Sequence, residues 1–364
     1  MTGPMPLLSV IVPAHQGAGL LPVTLGALAE SDLPRDQWEL IVVDDASSDG
    51  TADVAARWAD RVLTLPGAPH GPGFARNRGV EVSRGEWVVF IDADVRVHRD
   101  TLRRVAEAIR QDPAMDAMFG AYDDAPPAPG FLSRYRNLLH RYVHVESAGE
   151  TDTFWAGCGA VRRSAFLAVG GFNEAKYPRP QIEDIELGYR IRERGGRIVI
   201  RPEIQGAHLK HWRFVGSIRT DLLDRGIPWV RLLLERERLA QPANLNLKRG
   251  EPLKAATVVL GLLLIPLAIV MGRWAPLIGT GLLWGLVVAS NHALIRWFAR
   301  ERGLFFALAV VPLNLWYYLL SALAVAAGLA LHLLHGRPRA EPPAALAPRE
   351  AAAHGVGFPS HGPR

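Results

Sequence analysis

The chain predicts an α/β layered domain followed by membrane-spanning helices, on three observations. Short apolar, β-branched runs recur from Leu7 to about Ile204, separated by helical stretches and turn clusters. Three long uncharged runs follow Lys254. Acidic residues close two of the early apolar runs, at the strand ends where α/β sheets bind ligands.

Taken in order, "LLSVIVPA", "WELIVVDD", "EWVVFIDAD" and "GRIVIRPE" read as buried strands, with "TADVAARWA" and "TLRRVAEAIRQ" as helices between them. This alternation predicts a mostly parallel sheet. The first uncharged run, 255–271, is short for a bilayer core of about 20 residues, whereas 275–295 and 304–335 suffice. Three spanning helices are expected, or two with a re-entrant or interfacial segment. The expected organisation is therefore an α/β domain over 1–205, amphipathic interfacial helices over 206–252, a transmembrane region of about three helices over 253–336 and a disordered tail over 337–364.

Charge and composition limit the function classes. The 364 residues are 49% hydrophobic, and 41 basic against 36 acidic residues leave a net charge of +5, too balanced for wholesale nucleic-acid binding. A lone Cys158 excludes an internal disulfide framework and a multi-cysteine zinc site. Lys248, Arg249 and Lys254 precede the first uncharged run, and Arg296, Arg300 and Arg302 separate the second from the third. The positive-inside rule puts both groups in the cytoplasm, and with them the N-terminal domain, whose start lacks the features of a secretory signal. A multi-pass protein of the cytoplasmic membrane is expected.

The strand ends carry the chemistry. "VVFIDADVRV" ends an apolar run with Asp92 and Asp94, which in an extended strand share one side while Ala93 points away. Two carboxylates on one side suit a hard divalent cation, Mg²⁺ or Mn²⁺, completed by phosphate oxygens and water. "ELIVVDDASSDGT" ends at Asp44 and Asp45, acids placed to accept bonds from a base or ribose, with Asp49 or Thr51 capping the next helix. "GPGFARNRG" sets Arg76, Asn77 and Arg78 among glycines that permit close phosphate approach. In this order the three stretches describe a nucleotide-diphosphate site.

The succession "SVIVPAHQ", "IVVDDASSDGT", "GPGFARNRGVEVSRGEWVVFIDADV", "GAVRRSAFLAVGGFNE" and "EDIELGYRIRERGGRI" resembles glycosyltransferase family 2, enzymes of the GT-A fold, over about residues 7–200. The resemblance implies a nucleotide-sugar donor, a divalent cation and transfer with inversion. It assigns Pro13, Ala14, Asp44, Asp45, Arg76, Asn77, Asp92 and Ala93 to the donor, and Asp92 and Asp94 to the metal, Asp94 as the direct ligand. It departs from the family at His15, Gln16 and Gly17 after the Pro-Ala pair. Asp184, in "PQIEDIELGYR", matches the base that takes the acceptor proton, and Glu183 an acceptor contact. The resemblance also implies that Trp155 and Gly157, in "FWAGCGAVRRSAF", border the acceptor and donor sugar, and that His208 is a further metal or diphosphate contact, an interfacial histidine being the other reading.

Two basic, aromatic segments remain. "FLSRYRNLLHRYVHVES" places His140 and His144 on one helical face, read as a surface or phosphate-contacting helix. "HLKHWRFVGSIRTDLLDRGIPWVRLLLERERL" reads as helices lying on a membrane surface, broken near Gly226 and Pro228. The Gln-x-x-Arg-Trp motif of polymer-forming relatives does not occur. The expected acceptor is a membrane-embedded lipid or lipid-linked glycan receiving one sugar; a processive polysaccharide synthase and an inactive nucleotide-sugar-binding membrane protein are the alternatives.

Overall fold

The computed structural model describes residues 5–237 and 250–336. The predicted tail, Lys248 and Arg249 lie outside them. One mixed sheet is built from β1 (Leu8–Ala14), β2 (Trp38–Asp45), β3 (Arg61–Leu65), β4 (Trp87–Ile91), β5 (Val95–Val97), β6 (Ala117–Tyr122), β7 (Gly149–Thr151), β8 (Cys158–Arg162) and β9 (Ile198–His208). Their order is β3-β2-β1-β4-β8-β6-β9-β5, with β7 on β9. Strands β3, β2, β1 and β4 run parallel, as do β6 and β9. The pairs β4–β8, β6–β8, β5–β9 and β7–β9 are antiparallel, which corrects the expectation of a mostly parallel sheet. Both directions give the same two-residue alternation, so buried runs do not reveal strand direction.

The helices of this domain are α1 (Leu21–Ala29), α2 (Thr51–Ala55), α3 (Pro72–Val82), α4 (Thr101–Gln111), α5 (Phe131–Val145), α6 (Arg163–Ala168) and α7 (Glu183–Glu193). Alternation along β1 sends Val10 and Val12 into one core with Leu21 and Leu25 of α1 and Val105 of α4. Ile11 faces the other core, with Ala75 of α3, Phe166 of α6 and Leu187 of α7. Each such side chain taken out of water contributes about 1.5–3 kcal/mol, so the two faces fix the register of the strands and with it the strand ends.

Beyond β9 the chain forms α8 (Phe214–Arg219), a π-helical stretch (Thr220–Gly226) and α9 (Ile227–Glu235). Two expectations change here. Residues 206–208 belong to β9, so the interfacial segment begins later than 206. The helix also continues through Gly226 and Pro228 instead of breaking. Pro228 has no N–H to give the preceding turn, and the wider π turn just before it takes up the mismatch. Leu232 and Leu233 of α9 pack on Tyr177, Ile182 and Tyr189 of the α/β domain. Trp229 Nε1 donates to Tyr189 Oη at 3.1 Å, and Arg236 pairs with Glu186 at 2.7 Å.

The C-terminal helices are α10 (Glu251–Met271), α11 (Ala275–Ser290), α12 (His292–Arg302) and α13 (Leu304–His335). Among the described residues α10 and α13 are each long and apolar enough to cross a membrane. The expected span 275–295 is not one straight helix: α11 and α12 meet at a 66° bend. Asn291 stands at the bend, its Nδ2 donating to Val287 O at 2.9 Å while its Oδ1 accepts from Lys254 Nζ at 3.0 Å and Tyr318 Oη at 3.1 Å. The bend turns Leu294 and Phe298 of α12 onto Tyr135 and Leu138 of α5, where Ala307 and Val310 of α13 join them.

Candidate active site

The strand ends open into a continuous cavity of about 1110 Å³, which runs from Pro13 and Ala14 past the catalytic candidates to Leu320 and Ala324 of α13. Strand β4 ends at Ile91, so Asp92, Ala93 and Asp94 form a turn closed by Val95 N donating to Asp92 O at 3.0 Å. In that turn the two carboxylates take different partners, which corrects the extended-strand picture of one shared side. Asp92 Oδ1 accepts from Arg76 at 2.7 Å, and Asp94 Oδ2 lies 3.3 Å from His208 Nε2. Ala93 lines the cavity, and its carbonyl accepts from Thr24 Oγ1 at 2.8 Å.

Arg76 ties the site together. Its buried guanidinium sits between Asp92 and Glu183 Oε1, the latter at 3.1 Å, and rests 5.4 Å from the Phe172 ring. Glu183 Oε2 accepts from the backbone N–H of Gln181 at 2.9 Å, holding the segment that leads into α7. Asp184 follows in the first turn of α7, accepting from Ala156 N at 3.2 Å and Ile185 N at 2.8 Å. Burial, then the adjacent Glu183 charge, push its carboxyl up to about 7, against the opposing pull of Arg76. A carboxylate poised there can take a proton at neutral pH.

His208 faces Asp94 with a defined nitrogen. Trp212 Nε1, which can only donate, reaches Asn137 Oδ1 at 3.2 Å, so that oxygen is an acceptor. His208 Nδ1 lies 2.8 Å from the same oxygen and therefore carries the proton, leaving Nε2 with a lone pair toward Asp94 when the ring is neutral. Tyr122 stacks on the ring at 4.4 Å. Burial opposes ionisation of Asp94, but a bond from His208 and the His208 and Lys210 charges hold it below the usual carboxylate range, the His208 contributions acting only when Nε2 also carries a proton. A carboxylate oxygen beside an oriented imidazole nitrogen suits a divalent cation. Among the described residues no three His, Cys, Asp or Glu side chains converge as a complete metal site, so a cation here needs phosphate oxygens as well.

Other sequence candidates fall on either side of the cavity wall. Asp45 lines it and gathers the loop opposite α7: Gly71 N donates to Oδ2 at 2.8 Å and His70 N to Oδ1 at 2.9 Å. Gly71 has φ +95° and no room for a side chain, since a Cβ would lie 2.6 Å from Pro178 O. Asp44 is buried behind the wall and accepts from Ser47 N at 3.2 Å. Asn77 also lies behind it, with Nδ2 donating to Phe172 O at 2.9 Å and Oδ1 accepting from Phe172 N at 2.9 Å. Both are side chains of the frame rather than of the cavity. Trp155 lines the cavity; Gly157 supports it from behind, because a Cβ there would meet the Trp155 ring at 2.5 Å. Gly157 O accepts from Asp92 N at 3.2 Å, linking the segment after Trp155 to the aspartate turn.

Several lining residues had no sequence signal. His15, His70, Tyr122, Lys210 and Arg225 converge only through the fold. The His140–His144 face points inward, correcting the surface-helix reading: His140 packs 4.2 Å from His144 and 4.9 Å from Trp155, and burial holds its imidazole well below the usual range. Cys158 opens β8 and is buried, its thiol pushed up to about 12 by burial and the nearby Asp92 charge, which suits a structural residue rather than a nucleophile.

The model of the glycosyl transferase family 2 domain matches residues 9–170. Validoxylamine A glucosyltransferase of Streptomyces hygroscopicus subsp. jinggangensis is 27% identical over 244 residues, 58% of this chain and 57% of its own. The probable glycosyltransferase YdaM of Bacillus subtilis is 27% identical over 211 residues, 54% of this chain and 49% of its own. The chain thus spans about half the length of these curated relatives. A mannosyltransferase of Pyrobaculum calidifontis, solved with GDP-Man and Mn²⁺, aligns with TM-score 0.53 at 21% identity over 91% of this chain and 88% of that one, a likeness of fold.

Proposed function

Because residues 9–170 are a glycosyl transferase family 2 domain, with the GT-A type of mixed sheet, we propose that the chain moves one sugar from a nucleotide-diphosphate donor to a hydroxyl of a membrane-embedded lipid or lipid-linked glycan, inverting the anomeric centre. One observation carries the reading: a buried carboxyl with raised affinity for its proton, Asp184, opens with Asp92 and Asp94 onto a cavity that continues among the C-terminal helices. The donor's nucleoside end lies by Pro13, Ala14 and Asp45, and its diphosphate by the aspartate turn. Asp94 and His208 would hold a divalent cation, Mg²⁺ or Mn²⁺, which when bound would neutralise charge on the diphosphate. Asp184 takes the acceptor hydroxyl proton as that oxygen bonds to the anomeric carbon and the nucleoside diphosphate leaves with the electron pair of the broken carbon–oxygen bond. Arg76 keeps Asp92 and Glu183 in place around this centre. A relative's Mn²⁺ and GDP-Man complex and the apolar helices α10 and α13 support the choice of metal, donor class and membrane acceptor.

The test is nucleoside-diphosphate release from a panel of nucleotide-sugars by the detergent-solubilised chain, with a lipid extract as acceptor source. Release that needs both metal and lipid, and that falls about 10²–10⁴-fold in Asp184→Asn with donor affinity retained, is the expected result. Metal-dependent donor binding with no release for any donor would instead leave a nucleotide-sugar-binding protein.

A further inference from the structure

We propose that the acceptor is an anionic lipid, held through a phosphoryl group by Arg225 and Lys210 while one of its hydroxyls reaches Asp184; this rests on the transferase reading above. Six lysine and arginine side chains line the cavity, and the structure has already committed four of them, Lys254 to Glu251 at 2.8 Å among them. Arg76 is held by Asp92 and Glu183, Arg136 by both oxygens of Asp221 at 2.6 Å, and Arg179 by Asp224 at 3.5 Å. Asp221 and Asp224 belong to the π stretch that carries Arg225, yet each pairs with an arginine from elsewhere. Arg225 itself is exposed into the cavity and has no acidic side chain within 4.0 Å among the described residues. Lys210 is likewise without an ion pair there, its Nζ lying 4.4 Å from the Trp212 ring.

The position of Arg225 is built, not incidental. A π turn is an uncommon local structure that concentrates at functional sites, and this one is pinned by Gly226. A Cβ on Gly226 would lie 2.6 Å from Asp221 O and 2.7 Å from Ala324 Cβ, so only glycine lets the stretch sit this close to α13. The same cavity is lined by Lys210 and the aspartate turn and by apolar side chains, Leu139, Val143, Leu294, Leu320, Ala324 and Val325 among them. A guanidinium in a cavity lined by both complements a phosphoryl group joined to an alkyl chain. A neutral glycolipid would leave Arg225 without a counter-charge.

The probes are dioctanoyl phosphatidate and dioctanoylglycerol, which share their chains and differ by the phosphate. Binding to the full chain in uncharged detergent is read by quenching of tryptophan fluorescence, since Trp155, Trp212, Trp229 and Trp316 line the cavity. Phosphatidate is expected to bind about tenfold or more tightly than dioctanoylglycerol, a preference that Arg225→Gln removes and Arg225→Lys partly keeps, with nucleotide-sugar affinity unchanged in both. Equal affinity for the two probes overturns the proposal. So does a matching loss of nucleotide-sugar affinity in Arg225→Gln, which would make Arg225 part of the donor diphosphate site. Lipid-dependent nucleoside-diphosphate release by the unaltered chain is scored separately: if it is absent while the phosphatidate preference stands, the transferase reading fails and the anionic-lipid site remains.

Discussion

At the scale of single residues, the site depends on one carboxyl kept out of water. As the proposed base, the Asp184 carboxyl, pushed up to about 7 by burial and then by Glu183, has to lose its proton to act, so turnover should rise as pH passes through about 7. Glu183→Gln removes a repelling charge and frees Arg76 to attract Asp184, so both changes favour the ionised form. The acid limb of the rate profile should move to lower pH, and an unmoved limb would mean that another group sets it. The same shift has a cost in stability. A carboxyl that holds its proton more tightly when folded than when unfolded penalises the native state increasingly from about pH 4 to about pH 7, with the full penalty above that. Asp184→Asn is therefore expected to melt higher than the unaltered chain at about pH 8, the gap closing toward about pH 4, as read by thermal denaturation in detergent. The acids Asp92, Asp94 and Asp184 could be singled out in the sequence because they follow apolar runs or open a helix. Arg76 as the brace between Asp92 and Glu183 could not: Glu183 is distant in the chain, and only the fold brings α3 and the start of α7 together.

At the scale of elements, α7 reaches the site because it lies flat on the backbone before Trp155. Gly188 makes this possible, since a Cβ there would come within 2.3 Å of Phe154 N and 2.6 Å of Thr153 C. Gly188→Ala should raise helix propensity by about 1 kcal/mol, yet the clash costs more, typically about 1–3 kcal/mol. The expected outcome is a lower melting temperature together with reduced turnover, as α7 lifts Asp184 away from Ala156 N; a variant that is more stable and fully active would show that helix propensity prevails. Strands β1, β2, β4 and β9 were legible because their buried runs are short and β-branched, and α7 because prolines and acids mark its start. Strands β3, β5, β6, β7 and β8 were not read, and the mixed directions of the sheet could not be, because alternation is blind to direction. The π stretch was read as a break because Gly226 and Pro228 punctuate helices in most contexts. Here the neighbours α9 and α13 keep the axis running, and a tertiary contact overrides the local signal.

At the scale of the whole molecule, the uncharged runs after Lys254 coincide with the helices from α10 onward, but they do not tell how firmly these join the α/β domain. Uncharged runs report what an element avoids, water, without naming what it packs against. The bend at Asn291 turns α12 across the end of α5, so that Phe298 is fully buried beside Tyr135, its ring 5.9 Å from that of Tyr135 and 5.7 Å from that of Phe306. Helix α5 also carries Asn137, which orients His208, and His140, which lines the cavity. One helix therefore serves both His208 and the C-terminal helices. Phe298→Ala is expected to cost about 3–5 kcal/mol at this junction. If the junction only anchors the domain, the variant will bind and turn over donor normally once solubilised. If it also sets the cavity, as the shared α5 implies, donor affinity will hold, because Pro13, Ala14 and Asp45 lie on the opposite side of the sheet ends, while lipid-dependent release falls. The ratio of lipid-stimulated to lipid-free nucleoside-diphosphate release, measured in detergent below the melting temperature of the variant, separates the two, and a ratio equal to that of the unaltered chain would reduce the helices to a tether.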